Sequence, residues 1–126
     1  MHKIATYGTL RKGMYNNRYF DMRFIETTTI DDFKLYDLGP YPAVVEGNGT
    51  IVVDIFEVDD NTKRAIDGME LGAGYNIKTL TINTPGALYG ESVDIYVFDT
   101  PPSRAVLIES GDYVEYLKTK QNVSKG

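Results

Sequence analysis

The chain has no cysteine, a single histidine and no long apolar run. The first absence excludes disulfides, thiolate nucleophiles and cysteine-held metals, and it suits a reducing compartment such as the cytoplasm. The one histidine, His2, stands beside the initiating methionine, so serine-histidine-aspartate catalysis and multi-histidine metal sites lack their parts. Its place suggests a frayed surface residue. A bilayer span needs about 20 apolar residues, and the N-terminus lacks the apolar segment and small-residue cleavage site of a secretory signal. No membrane partner is expected. Basic residues are outnumbered 13 to 18, which leaves a net charge of −5 with no basic cluster. Nucleic acid is therefore not expected either, because affinity for it comes mainly from neutralising phosphates. A small molecule or another protein remains.

What is present fits one compact domain of 126 residues with ordinary apolar and charged content. Ile4 to Tyr7 reads as a short strand running into Gly8. A short helix is expected after the capping residues Asn16 and Asn17, and extended structure from Phe24 to Leu38. The run Gly39-Pro40-Tyr41-Pro42 is a loop, since two prolines remove two backbone donors. Glu46-Gly47-Asn48-Gly49 between Ala43–Val45 and Ile51–Val58 signals a hairpin of two antiparallel strands. Asp59-Asp60-Asn61 supplies caps for a helix over 62–70, whose Ala65, Ile66 and Met69 share a face for packing on the sheet. Gly72-Ala73-Gly74 stops it. Ile77–Ile82 and Val93–Phe98 form a second hairpin around Pro85-Gly86. A linker after Pro101-Pro102 leads to Ser110-Gly111-Asp112, which caps a last helical turn ending near Leu117. The expectation is an α+β domain over residues 1–118, a small mixed β-barrel with short helices, and a polar tail over 119–126.

Two places can carry chemistry. In Tyr7-Gly8-Thr9-Leu10-Arg11-Lys12-Gly13 a strand ends in a glycine-bounded loop, where successive backbone N–H groups can form a concave nest for an anion. Spacing alone favours a structural loop with an exposed Arg11-Lys12 pair. Glu70, at a helix end beside Leu71-Gly72-Ala73-Gly74-Tyr75, would have its proton affinity raised by the helix dipole and by burial, as a general acid/base requires. Composition alone favours a solvated helix-end glutamate.

The string Tyr7 to Gly13 resembles the signature of gamma-glutamylcyclotransferase-like proteins, in which the first strand ends in a tyrosine-glycine-serine/threonine-leucine loop. Leu35-Tyr36-Asp37-Leu38-Gly39-Pro40-Tyr41-Pro42-Ala43-Val44 is similar to that family's glycine-x-tyrosine-proline-alanine segment. Val53 to Val58 resembles the strand before its catalytic helix. Ile66-Asp67-Gly68-Met69-Glu70 resembles leucine-aspartate-x-x-glutamate, and Ser110-Gly111-Asp112-Tyr113 resembles its C-terminal turn. The motifs occur in the family's order and span Ile4 to about Leu117. Two positions depart: Leu71 separates Glu70 from Gly72, and Asn76 rather than a basic residue follows Tyr75.

The resemblance implies a cofactor-independent, metal-free enzyme that closes 5-oxoproline from a small gamma-glutamyl substrate, expelling an amine or amino acid. This is a lyase-type acyl transfer, with Glu70 as the catalytic acid/base. The Tyr7, Gly8, Thr9 and Leu10 backbone would hold the substrate carboxylate, and Tyr41 and Tyr75 would wall the pocket. A non-catalytic module using the same pocket to bind a small ligand or a protein is the alternative, for which ten tyrosines could supply contact surface.

Overall fold

A computed structural model describes residues 1–14 and 16–125, with side chains as far as position 120. Six strands form one sheet: β1 His2–Thr6, β2 Arg23–Asp37, β3 Pro42–Val58, β4 Asn76–Thr81, β5 Ser92–Val97 and β6 Val106–Ile108, in the order β4-β5-β1-β3-β2-β6. Only the β1–β5 pairing among these is parallel. Two helices, α1 Asp60–Gly72 and α2 Tyr113–Lys125, complete a curled half-barrel. The opening strand, the β4–β5 hairpin and the 62–70 helix stand where the residue pattern put them.

The central strand is the shortest of the core. β1 pairs with the second half of β3, Ile4 opposite Phe56 and Thr6 opposite Asp54, and with β5 on its other side. Beyond Thr6 it stops, while β5 runs on until Phe98 bridges Val45 at the start of β3, the Phe98 N–H donating to the Val44 carbonyl at 2.9 Å. The curl is closed at that point. Ile4, Ala5, Val44, Val53, Ile55 and Ile95 pack the interior.

The expected hairpin over 46–49 does not form: residues 42–58 are a single strand, and its turn to β2 lies at 38–41. Both halves of β3 find their partner in the long β2, and the ladder shifts register between Asp31, opposite Thr50, and Phe33, opposite Glu46. Three residues of β3 thus face one of β2. A Cβ on Gly49 would stand 2.7 Å from the Phe33 carbonyl oxygen. The glycine therefore serves the close backbone approach of a bulge rather than a hairpin turn.

Four further expectations are corrected. The helix after Asn16 is only a 3₁₀ turn, Asn17–Tyr19, too short of apolar spacing to extend. Strand β6, three residues within the expected linker, pairs with the edge of β2. Helix α2 continues past Leu117 to Lys125. Asp112 caps it by accepting from the Glu115 N–H at 3.2 Å, and once nucleated the helix propagates at one added bond per residue through a continuation that has no proline or glycine before position 126. His2 is not frayed: it lies in β1, and its Nε2 is 2.7 Å from an Asp60 carboxylate oxygen.

Candidate active site

Helix α1 presents Lys63, Ile66 and Glu70 to the sheet, while Ala65 is exposed and Met69, 40% exposed, lies at the edge of that face beside the cavity. The packed face is thus rotated from the Ala65-Ile66-Met69 face read from hydrophobicity, because a paired lysine takes an inward place. Asp59 caps the helix by accepting from the Thr62 N–H at 2.7 Å. At the other end Gly74, at φ +100°, turns the chain back: the Tyr75 N–H donates to the Glu70 carbonyl at 3.0 Å and the Gly74 N–H to the Leu71 carbonyl at 3.1 Å. This pair of bonds is a Schellman motif, and it brings Tyr75 to the same side as Glu70.

The loop leaving β1 is fixed from several sides. Arg11 is not part of an exposed pair. It is buried, its Nε 3.1 Å from Asp54 and its Nη1 2.8 Å from Asp112, and Asp54 also accepts from the Lys12 N–H at 2.9 Å and the Thr27 hydroxyl at 2.6 Å. The Asn16 side chain does not cap the following turn but donates to the Thr9 hydroxyl at 2.9 Å, and its N–H donates to the Thr9 carbonyl at 3.1 Å. Among the described residues, the N–H groups of Gly8, Thr9 and Leu10 have no acceptor within the chain. They are free to serve an anion, as the nest requires.

These parts enclose one cavity of about 180 Å³ at the end of β1, and Tyr7, Gly8, Thr9, Leu10, Tyr41, Glu70 and Tyr75 all line it. The residues expected to act on or bind substrate thus lie around one cavity, while Arg11, Lys12 and Gly13 of the same loop do not line it. The Tyr75 hydroxyl donates to the Pro42 carbonyl at 2.6 Å, and its ring stacks on Phe98 with centroids 4.4 Å apart. Tyr41, 40% exposed, stands at the mouth with its ring 6.4 Å from that of Tyr75. Gly8 is necessary for a reason outside its own dihedrals: a Cβ there would lie 2.4 Å from Cγ of Pro42. Glycine lets the nest loop lie against the segment that holds Tyr75.

Among the described residues, Glu70 is the one carboxyl in the cavity lining, which includes no lysine or arginine. Burial raises its carboxyl from an ordinary glutamate value to about 7. Burial likewise holds the Tyr7 hydroxyl protonated well above the tyrosine range, with Tyr75 and Glu70 adding to it. That hydroxyl donates to the Tyr96 carbonyl at 2.7 Å. Sequence reasoning missed Asn16, Met69 and Tyr96 as lining residues. The available signal was their proximity to the nest and to Glu70, but Tyr96 reaches the cavity only through the β1–β5 pairing. The two departures are peripheral: Leu71 is exposed, and the Asn76 side chain donates to Asp99 at 3.0 Å.

A curled mixed half-barrel in which a glycine-bounded loop and a partly buried carboxyl meet at one cavity is a fold of cyclotransferase type. Residues 4–115 match the family described as gamma-glutamyl cyclotransferase, AIG2-like, and the chain belongs to it. It is 34% identical over 114 residues to the gamma-glutamylcyclotransferase family protein YtfP of Escherichia coli, covering 90% of this chain and 96% of that protein. An uncharacterized protein from Pyrococcus horikoshii superposes with a TM-score of 0.80 at 28% identity, covering 97% of this chain and 98% of the other. An AIG2-like protein from Mus musculus superposes with a TM-score of 0.75 at 22% identity, covering 90% of this chain and 88% of the other, and so shares the fold. No helix among the described residues is long and apolar enough to cross a membrane.

Proposed function

We propose that this chain converts a small gamma-glutamyl compound into 5-oxoproline and a free amine or amino acid. The observation that carries the reading is the position of Glu70, a partly buried carboxyl raised to about 7, in the same cavity as the N–H groups of Gly8, Thr9 and Leu10, which have no acceptor among the described residues.

In this reaction the substrate's alpha-amine attacks its own side-chain carbonyl. A C–N bond closes the five-membered lactam, and the C–N bond to the leaving amine breaks. One proton is lost by the attacking nitrogen and one is gained by the leaving nitrogen, so a single carboxylate that accepts and returns it balances the step. No water, oxidant or metal enters that balance. Glu70 has the matching property, since a general base works best with a proton affinity near the operating pH. The nest would hold the alpha-carboxylate, or the carbonyl oxygen as charge develops on it, with dipoles fixed before the reaction begins. Tyr41, Tyr75 and Tyr96 would fold the glutamyl chain into the bent shape that brings nitrogen and carbonyl within about 3–3.5 Å.

The test is incubation of the purified protein with a panel of gamma-glutamyl amino acids and amines, following 5-oxoproline by mass spectrometry. Turnover by the native protein, abolished in Glu70→Gln, is the expected result. Binding of the panel without any 5-oxoproline would overturn the enzyme reading in favour of a ligand-binding module.

A further inference from the structure

Asn16 and Asn17 read from the sequence as helix caps, yet both side-chain amides turn back to the nest loop. The Asn16 Nδ2 donates to the Thr9 hydroxyl at 2.9 Å, and the Asn17 Nδ2 donates to the Leu10 carbonyl at 2.9 Å. Asn16 lines the cavity and Asn17 does not. Among the described residues, Asn17 is the sole donor to that carbonyl.

Peptide geometry gives this bond a consequence inside the cavity. A trans peptide is planar, with its C=O and the N–H of the next residue pointing in opposite directions. Whatever holds the carbonyl of one residue therefore aims the N–H of the next. Asn17 holds the Leu10 carbonyl, and the Arg11 N–H of that same peptide donates to the Gly8 carbonyl at 3.0 Å. The Gly8 carbonyl shares its peptide with the Thr9 N–H, which has no acceptor among the described residues. Two successive peptide units thus connect Asn17 to an open donor of the nest. A bond accepted by a carbonyl also polarises its amide and strengthens the N–H on the far side, so donors arranged in such a chain reinforce one another. The unit between them is held separately: the Asn16 N–H donates to the Thr9 carbonyl at 3.1 Å and so aims the Leu10 N–H.

We propose that Asn17 is a positioning residue of the anion site, which aims and strengthens the Thr9 N–H through the Leu10–Arg11 and Gly8–Thr9 peptides without touching the ligand. The proposal rests on the reading of the nest as the holder of the substrate's alpha-carboxylate. The Arg11 side chain is pinned to Asp54 and Asp112, so the Leu10 carbonyl is the loose end of the relay, and Asn17 closes it.

The experiment compares binding of 5-oxoproline with that of butyrolactam, the same ring without the carboxylate, to the native protein and to Asn17→Leu, which removes the donor at similar size. Proton–nitrogen NMR titration gives both affinities and follows the Thr9 amide, at about pH 6 so that Glu70, raised by burial, keeps its proton and does not repel the anion. Misaiming one charge-assisted bond should weaken 5-oxoproline about tenfold in Asn17→Leu, with butyrolactam within about twofold of native. The Thr9 amide should shift on addition of 5-oxoproline to the native protein and shift less in the variant. Should Asn17→Leu fail to fold, Asn17→Ser, whose hydroxyl stops one atom short, carries the same comparison. Unchanged affinity for 5-oxoproline overturns the proposal. Equal losses for both ligands overturn it too, because a purely structural asparagine would loosen the whole cavity. A native Thr9 amide that ignores 5-oxoproline overturns the anion-site reading and the proposal with it. A selective loss in a protein that turns over no gamma-glutamyl compound would keep the role of Asn17 and overturn the reaction instead.

Discussion

Glu70 is held near the cavity at some cost to the fold, and the sign of that cost is measurable. Its carboxyl is raised from about 4.5 to about 7 by burial, so between those values the folded chain keeps a proton that the unfolded chain has lost. Stability therefore falls as pH rises through this window and is flat above it. Glu70→Gln should leave stability unchanged near pH 4 and raise it by about 2 kcal/mol at pH 8, after allowance for residual exposure, as read from urea midpoints. The catalytic counterpart has the opposite direction: kcat/KM of the native enzyme should rise with pH and level off above about 7, as the free carboxylate becomes available. Gly8 makes a second residue-scale prediction. Gly8→Ala should reduce turnover more than tenfold by displacing Pro42 and the Tyr75 bonded to it. An alanine variant with native kinetics would show that the contact can relax.

Among the elements, legibility followed locality. The opening strand, the cap and stop of α1 and the second hairpin were readable because their signals act within a few residues: Asp59 bonds a donor three positions on, and Gly74 adopts the turn that ends its own helix. Asn48-Gly49 was misread because what gives it meaning is the Phe33 carbonyl, a residue of another strand. Strand β6 has only three residues and exists by pairing with β2. The inward place of Lys63 could not be read from hydrophobic spacing, since its justification lies with Asp94 on a strand about 30 positions away. The resemblance to a family supplied the roles, which the residue pattern alone had left open. Gly74→Ala tests the best of the local signals: forcing a Cβ into φ +100° should cost on the order of 1–2 kcal/mol and impair turnover, with unfolding followed by circular dichroism.

Across the molecule, Arg11 joins four distant parts of the chain: the nest loop it belongs to, Asp54 of β3, Thr27 of β2 through that same carboxylate, and Asp112 at the head of α2. Removing one partner of a buried ion pair leaves the other unsatisfied. Arg11→Met should therefore destabilise the protein by about 3–5 kcal/mol in chemical denaturation, and a loss below about 1 kcal/mol would show the pair to be dispensable. The short run from Glu70 to Tyr75 has a different bearing on the whole. The turn that ends α1 bonds the backbone of the one to the backbone of the other, and Tyr75 is in turn bonded to Pro42. The acid and its facing wall are thus a single mechanical part, clamped to the head of β3. Thermal motion that displaces them displaces them together and preserves their spacing. Under the proposed function, adjustment to ligands of different bulk would fall instead to Tyr41, 40% exposed on the 38–41 turn, as the outer jaw of a vice whose other jaw is fixed.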